Sequence, residues 1–249
     1  LGCQLFIRHV PLELTYAGKQ FLLHATSIQH EIKELYITFS EISGKEKGLL
    51  RVGITDNRDR VVLTPIVCSF LQKCPKVELE VVEVPVDVLT QKLFNDELDI
   101  CISDFNAIYK GISYCDLYKE RIVFVCEKKL FDNIYGNKAQ FVINEIEQNQ
   151  SFHLLEKCPL LLGHEKDIAG RFSRQVLMQF NKAPVIKIKA ENLAFILDLC
   201  VHGIGGCFSP EILVRTALSP KQLDNLYIIS LGSQANYTMR IGWKNNWKS

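Results

Sequence analysis

The stretch LLRVGITDNRDRVVLTPIVCSFLQKCPKVELEVVEV, residues 49–84, decides the class of fold. It begins with the apolar run Leu49–Thr55, which is typical of a buried strand, and ends with the β-rich segment Val77–Val84. Between them, Arg60–Lys73 carries apolar residues at helical spacing. A strand, a helix and a second strand in this order predict a βαβ unit and a parallel sheet.

The same alternation continues along the chain. Val86–Leu98 is predicted as a helix, Asp99–Ser103 as a short strand and Arg121–Cys126 as a further strand. The elements predicted beyond these are strands at 159–163, 185–189, 226–231 and 237–244 and helices at 170–181 and 191–202. Two similar α/β lobes are therefore expected, divided near residues 120–127. We interpret the polar stretch 133–151 as a surface excursion with a helix at its end.

A seven-residue repeat precedes the two lobes. Along a predicted helix from about Tyr16 to Ser43, apolar residues recur at steps of four and three. These residues are Phe21, Ala25, Ile28, Ile32, Leu35, Phe39 and Ile42. So narrow a stripe is typical of a helix that pairs with another helix, and we expect a dimer with a second copy of the chain. A helix lying on its own domain remains the alternative at this point.

Composition and charge narrow the function classes. The 249 residues are 47% hydrophobic and 23% charged, as in ordinary globular proteins, and the net charge is +1. A net charge so near zero gives no overall attraction to nucleic acid or to an anionic membrane. We therefore expect any DNA-binding surface to lie outside this sequence. Neither a membrane-spanning apolar run nor a signal-peptide pattern occurs in it. We therefore expect a cytoplasmic protein without membrane contact.

The cysteines and the motif search point away from an enzyme. There are nine cysteines, with no CxxC, and most lie within apolar strand or helix patterns. This favours buried, reduced thiols over a disulfide framework, although Cys200 and Cys207 are close enough for a redox pair. Cys and His residues show no metal-ligand spacing, and neither a GxSxG nor a GxxxxGK[ST] motif occurs. No catalytic residue, metal or cofactor is expected.

Three segments that follow predicted strands are candidate binding loops. They are Thr55, Asp56, Asn57 and Arg58 after the first strand, Ser103, Asp104 and Phe105 after the strand 99–103, and Gly163, His164 and Glu165 after the strand 159–163. Open α/β sheets bind ligands at the carboxyl ends of their strands, so we expect the loops to share one cleft. The first loop combines Arg58 with a helix N-terminus, which favours an anion. Ordinary turn and cap chemistry is the alternative for each loop.

Five pieces of the chain, in order, resemble LysR-type transcriptional regulators. The first piece, LGCQLFIRHVPLELTYAGKQFL (1–22), resembles the end of a winged helix-turn-helix, and the seven-residue repeat resembles a dimerising linker helix. The other three pieces resemble segments of the effector domain. They are GLLRVGIT (48–55), LFNDELDICIS (93–103) and CVHGIGGCFSP (200–210). The opening piece is the most specific of the five. The other pieces are individually less specific, and their order along the chain strengthens the resemblance.

The resemblance implies an α/β fold in which a two-lobed, periplasmic-binding-protein-like (type 2) effector domain follows the end of a winged helix and a long coiled-coil linker helix. The implied divisions are a winged helix-turn-helix remnant at 1–15, the dimerisation helix at 16–43, a hinge at 44–48, lobe I at 49–122, lobe II at 123–244 and the start of a return to lobe I at 245–249. The implied partners are DNA, bound through the N-terminal domain, a small effector bound between the lobes, and further copies of the chain in a homodimer or homotetramer.

The resemblance also implies which residues contact the effector. It points to the same three loops and adds Phe208, within the stretch Cys207–Ser209. The peroxide-sensing branch of the family carries reactive cysteines after the strand that PLLLG resembles, whereas this chain reads GHEKDIAG (163–170) there, which argues against a thiol sensor. A solute-binding protein of a transport system and a small enzyme on a two-lobed scaffold are the competing functions. The missing export signal, the reduced cysteines and the seven-residue repeat favour the regulator over the carrier, and no catalytic set supports the enzyme.

Overall fold

The computed structural model describes residues 3–7, 12–42, 48–55, 63–105 and 107–245, without the side chains of 29, 30 and 33–42. The strands are β1 (Phe6–Ile7), β2 (Glu13–Leu14), β3 (Gly48–Ile54), β4 (Val77–Glu83), β5 (Ile100–Ser103), β6 (Ile112–Glu127), β7 (Leu160–Leu162), β8 (Ile186–Lys189), β9 (Gly206–Pro210), β10 (Leu226–Ser230) and β11 (Asn236–Lys244). The α-helices are α1 (Tyr16–Ile42), α2 (Thr64–Lys73), α3 (Val86–Phe94), α4 (Lys128–Tyr135), α5 (Ala139–Asn149), α6 (Ile168–Leu177), α7 (Leu193–Val201), α8 (Glu211–Ala217) and α9 (Pro220–Asp224).

The long helix α1 is anchored to the short antiparallel hairpin β1–β2 that precedes it. Thr15 caps the helix, because its Oγ1 accepts a hydrogen bond from the Gly18 amide at 3.0 Å and donates one to the Gln4 carbonyl at 2.7 Å. A Cβ on Gly18 would lie 2.0 Å from the carbonyl oxygen of Leu5, so glycine allows the hairpin to approach the helix. These contacts explain physically the Thr-Tyr-Ala-Gly part of the opening motif.

The two lobes share one continuous sheet. Of the described strands, nine pair in the order β4-β3-β5-β11-β6-β9-β7-β8, with β10 also paired to β6. β3 is parallel to both β4 and β5, which confirms the βαβ unit predicted from residues 49–84. β6 crosses between the lobes, because its first part pairs with β11 and its last residues pair with β9 and β10. The crossing strand therefore forms one of the connections between the lobes.

Each lobe buries its own core, and the two-lobed α/β architecture is thereby confirmed. In the second lobe, Phe124 of β6 and Phe131 of α4 are fully buried together with the apolar faces of α5, α6 and α7. In the first lobe, Leu89 and Leu93 of α3 pack on one face of the sheet. A separate cluster there includes Ile54 of β3. Among the helices described above, none has the length and apolar character needed to cross a membrane.

The strand β11 lies in the first lobe's half of the sheet. Its residues pair with β5 and with the first part of β6, and Met239 packs in the cluster that contains Val52 and Ile54. Lobe II was expected to extend over 123–244, because these residues follow one another in chain order. Pairing across the sheet, which chain order does not reveal, places the strand with lobe I instead.

The polar stretch 133–151, which we interpreted as a surface excursion, is mostly helical. It contains the end of α4 and all of α5, and the side chains of Val142 and Ile146 are buried in the second-lobe core. Most polar side chains of α5, and also Phe141, are exposed to solvent. The helix expected at the end of the stretch is thus present, although the mixture of polar and apolar residues gave it only a weak sequence pattern.

Candidate functional site

The carboxyl ends of β3 and β5 lie side by side in the first lobe. The amide of Thr55 donates a hydrogen bond to the carbonyl of Ile102 at 3.3 Å, and the Ser103 hydroxyl donates to Oδ1 of Asp104, also at 3.3 Å. Three residues of the predicted site, 55, 103 and 104, thus share one edge of the sheet, as expected. The predicted residues Asp56, Asn57 and Arg58 lie outside the described parts of the chain.

The second-lobe loop, residues 163–167, connects β7 to α6 and has a fixed backbone path. Asp167 caps α6, since its Oδ1 accepts a hydrogen bond from the Gly170 amide at 2.5 Å. A Cβ on Gly170 would lie 1.9 Å from the carbonyl oxygen of His164, so a larger residue would force the loop away from the helix. The Lys166 amide also donates to Nδ1 of His164 at 3.2 Å. Capping and close packing together hold this loop in place.

A pocket of about 320 Å³ opens beside this loop, where β7 and β8 end, and its volume suits a small molecule. Its lining residues are Leu162, Gly163, His164, Glu165, Gly170, Ser173, Arg174, Lys189, Ala190 and Glu191. All three residues predicted for the second lobe therefore line one pocket. Arg174 and Lys189 add positive charge and Glu165 and Glu191 add negative charge, with Arg174 paired to Glu165.

Two ion pairs join the loops of the two lobes. The guanidinium of Arg171, on α6, donates to Oδ2 of Asp104 and to the carbonyl of Lys166. Nζ of Lys166 lies 3.4 Å from Oδ2 of Asp87, which is in the first turn of α3. Asp104 of the first lobe is thus brought to the second-lobe loop through Arg171, a residue that the sequence analysis did not select. The sequence signal for this residue was an arginine directly after GHEKDIAG, within the helix and outside the three candidate binding loops.

Two aromatic residues predicted to line the cleft lie in the lobe cores instead. Phe105 is buried in the first lobe, where its ring centroid lies 4.7 Å from that of Tyr114. Phe208 is buried in the second lobe, with its ring centroid 5.2 Å from that of Phe124 on the neighbouring strand. Removing a large apolar ring from water is strongly favourable, so both rings turn toward the cores although their neighbours in sequence lie near strand ends.

The cysteines are free thiols, and five of them, Cys101, Cys126, Cys158, Cys200 and Cys207, are buried. Sγ of Cys126 lies 3.9 Å from Sγ of Cys158, and this hydrogen bond together with burial raises the pKa of the Cys126 thiol. A hydrogen bond with Cys207, and then burial, raise the pKa of the Cys200 thiol. Protonated thiols are weak nucleophiles, so this arrangement favours packing over redox chemistry. In the described ranges, no three His, Cys, Asp or Glu residues form a metal-holding group.

Comparison with known proteins gives a family match and several regulators. The family model for the LysR substrate binding domain matches residues 43–227. The HTH-type transcriptional regulator YtlI of Bacillus subtilis (strain 168) is 24% identical over 150 residues, which cover 50% of this chain and 49% of the relative. The HTH-type transcriptional regulator CysB of Thiocapsa roseopersicina is 32% identical over 83 residues, or 32% of this chain and 61% of the relative. The chain spans about half the length of the curated relatives it matches.

Solved structures share the fold. The reduced form of the regulatory domain of OxyR2 from Vibrio vulnificus superposes with a TM-score of 0.63 at 18% identity, covering 82% of this chain and 89% of that one. The reduced form of OxyR from N. meningitidis gives a TM-score of 0.61 at 17% identity, with 82% and 89% covered. Identities this low establish the two-lobed fold and leave the ligand open.

Proposed function

The chain belongs to the LysR substrate-binding domain family, and on that premise we propose that it is the effector-binding part of a LysR-type, DNA-binding transcription regulator. The carrying observation is the family match over residues 43–227, together with two lobes whose binding loops face each other. The matched relatives are named as transcriptional regulators, which favours this function over a solute carrier of a transport system and over an enzyme.

We propose that a small anionic effector binds between the lobes. Thr55, Ser103 and Asp104 would contact it from the first lobe, and the loop Gly163–Glu165 would contact it from the second. The pocket of about 320 Å³ beside that loop supports this site, and its lining provides the cationic groups of Lys189 and Arg174 beside the carboxylates of Glu165 and Glu191. Asp56, Asn57 and Arg58 keep the role predicted from sequence, because a guanidinium beside a helix start suits an anion.

The exposed stripe on α1 supports a proposed homodimer. Phe21, Ile28 and Ile32 are 47%, 60% and 51% exposed in the single chain, and Ala25 is half-buried. A groove of about 370 Å³ beside Ile28 and Ile32 is also lined by His24, Ser27 and Glu31. Large apolar side chains repeated at heptad spacing are stabilised when a second helix covers them. Leu35, Phe39 and Ile42 continue the stripe by sequence, and pairing of two dimers would give the proposed homotetramer.

In this proposal, residues 1–15 end a winged helix-turn-helix that contacts DNA, and the regulator acts in the cytoplasm. Binding of effector between the lobes would change how the subunits are arranged on DNA. The near-neutral charge of the chain, +1, is compatible with DNA contact through a separate domain.

The test is a selection of genomic DNA fragments by the full-length gene product. A regulator that binds as a dimer should enrich a sequence with two-fold symmetry, because the symmetry of the site mirrors that of the protein. Cell fractionation, done in parallel, should recover the protein in the cytosol. Recovery in the periplasm with no enriched sequence would support the solute carrier instead.

The effector loops are tested separately. Calorimetric titration with the effector should show weaker binding to the Arg58→Ala variant, since the variant lacks the guanidinium proposed to contact the anion. An unchanged affinity in that variant would remove the segment Thr55–Arg58 from the site without affecting the DNA-binding result.

A further inference from the structure

The pair formed by Arg171 and Asp104 joins the two lobes within the proposed effector cleft. Arg171 is on α6 in the second lobe, and Asp104 follows β5 in the first. The Asp104 side chain is only 10% exposed and that of Arg171 is 29% exposed, so the pair is sheltered while the arginine stays partly accessible to solvent. A guanidinium–carboxylate contact sheltered in this way is screened less than the ion pairs typical of protein surfaces.

The carboxylate of Asp104 is the chemical counterpart of an anionic ligand. A guanidinium binds carboxylate, sulfate and phosphate groups through the same planar set of N–H donors, and Asp104 takes up one side of that set. The Lys166 carbonyl accepts from the other terminal nitrogen, which helps to fix the orientation of the guanidinium. Residues 164, 165 and 170, which lie close to Arg171 in sequence, line the pocket beside α6.

We infer that Arg171 binds the anionic group of the effector and that Asp104 competes with the effector for it. This inference rests on the proposed function and extends it, because it names a carboxylate, sulfate or phosphate as the group recognised and Arg171 as the residue that recognises it. A ligand that displaces Asp104 removes the contact between the lobes, and a ligand shifts a conformational equilibrium through such differences in contact. Anion binding and lobe movement are therefore linked through one arginine.

The second ion pair between the lobes has a minor role. Lys166 and Asp87 are 58% and 56% exposed and their charged atoms are 3.4 Å apart, so solvent screens their attraction. The pair Arg51–Glu80 offers a comparison, because it also joins an arginine to a carboxylate. Both of its members lie in the first lobe, on the paired strands β3 and β4, and neither belongs to the proposed effector site. It therefore provides a control for the general effect of removing a carboxylate near an arginine.

The test is calorimetric titration of the purified protein with sodium sulfate, sodium phosphate and sodium acetate, at constant ionic strength kept with chloride. The Asp104→Asn variant should bind at least one of these anions about tenfold more tightly than the wild type, because a competing carboxylate is removed. The double variant Asp104→Asn with Arg171→Gln should lose that binding. The Glu80→Gln variant should change the affinity less than twofold, because the arginine that it releases lies outside the proposed site.

Several results would overturn the inference. These are an unchanged affinity in Asp104→Asn, an equal gain in Glu80→Gln, undiminished binding in the double variant, or no binding of any of the three anions to Asp104→Asn. If the double variant with Arg171→Gln does not fold, Arg171→Lys takes the place of Arg171→Gln. Lysine keeps the positive charge but lacks the planar set of N–H donors, so the increase in anion affinity caused by Asp104→Asn should become severalfold smaller. All of these outcomes leave the DNA selection unaffected, so failure of the inference is distinguishable from failure of the proposed function.

Discussion

Nε of Arg121 lies 2.5 Å from Oε2 of Glu211, a contact that ties the strand crossing between the lobes to the first residue of α8. Glu211 also pairs with Arg215 through a distance of 2.6 Å. Beside them, the Tyr237 hydroxyl donates to Oε2 of Glu120 at 2.5 Å. Two carboxylates on β6 and α8 thus receive hydrogen bonds from three elements at the junction of the lobes, which stabilises their relative placement.

The Glu211 contact predicts a pH dependence of stability. The hydrogen bond from Arg121, followed by that from Arg215, lowers the pKa of the Glu211 carboxyl. A carboxyl whose pKa is lower in the folded state stabilises that state above its unfolded pKa of about 4.3, and the stabilisation is lost as the pH falls through the folded value. Urea unfolding should therefore show the wild type more stable than Glu211→Gln at pH 6, with the difference shrinking toward pH 3. The Arg215→Gln variant keeps the contact between Glu211 and Arg121, so its stability should retain most of this pH dependence. Parallel stability–pH profiles for the wild type and Glu211→Gln would contradict the stabilising role of the Glu211 carboxylate.

Gly18→Ala should loosen the hairpin from α1. The added Cβ would lie 2.0 Å from the carbonyl oxygen of Leu5, and backbone so close must shift. We expect a loss of about 1–3 kcal/mol in local stability, as for other overpacked sites. Hydrogen exchange should report it as faster exchange of the Thr15 amide, which donates to Leu5. The matched control is Gly48→Ala, whose Cβ would meet no atom within 4 Å, and equal exchange rates in both variants would contradict the role of Gly18.

The sequence predicted the fold wherever one strong local pattern decided each element. The apolar stripe of α1 and the alternation of strands and helices from Leu49 onward needed no knowledge of distant contacts. The sequence did not reveal which lobe holds β11 or how much of 133–151 is helical. The position of β11 depends on pairing with β5, more than 130 residues earlier, and α5 is stabilised by the packing of a few apolar residues within a mostly polar stretch.

The loops of the proposed site could be selected from sequence, whereas the contacts between them could not. The rule that ligands bind at the carboxyl ends of strands pointed to the loops of Thr55, Asp104 and His164. It did not distinguish a side chain that enters the cleft from one that packs beneath it, and so Phe105 was included. Arg171 was missed because its partner, Asp104, is 67 residues away in sequence and in the other lobe. Only the folded arrangement of the lobes reveals a pair of this kind.

Gly170→Ala should displace the second-lobe loop. A Cβ there would lie 1.9 Å from the carbonyl oxygen of His164, so the loop must move away from α6. We expect about 1–3 kcal/mol of destabilisation, measured by urea unfolding, and a weaker response to the effector, measured by calorimetry. The matched control is Gly48→Ala, whose Cβ would meet no atom within 4 Å, and we expect it to leave the effector affinity unchanged. An effector affinity unchanged in Gly170→Ala would show that the loop does not position the ligand.

The exposed and buried cysteines should differ in their reactivity toward an alkylating reagent. Cys3, Cys68 and Cys115 are exposed, whereas burial raises the pKa of the Cys101 thiol to about 12 and hides it from solvent. Alkylation by iodoacetamide needs an accessible thiolate, so the exposed residues should be modified in the native protein and Cys101 only after unfolding. Peptide mass spectrometry of native and urea-unfolded samples measures the difference. Labelling of Cys101 at the rate of Cys115 would contradict the described packing.

Ile28→Asp should dissociate the proposed dimer. In a paired helix the new carboxylate would be buried against apolar side chains of the second copy without a partner, and burial of an unpaired charge is strongly unfavourable. Sedimentation velocity should show a monomer at concentrations where the wild type is a dimer, with the dissociation constant raised about a hundredfold or more. Ile32→Asp should act in the same way. Leu23→Asp is the matched control, because Leu23 is 62% exposed on the same helix but lies outside the heptad stripe, and it should leave the dimer intact. An unchanged oligomer in Ile28→Asp, or equal dissociation in Leu23→Asp, would rule out pairing through this stripe.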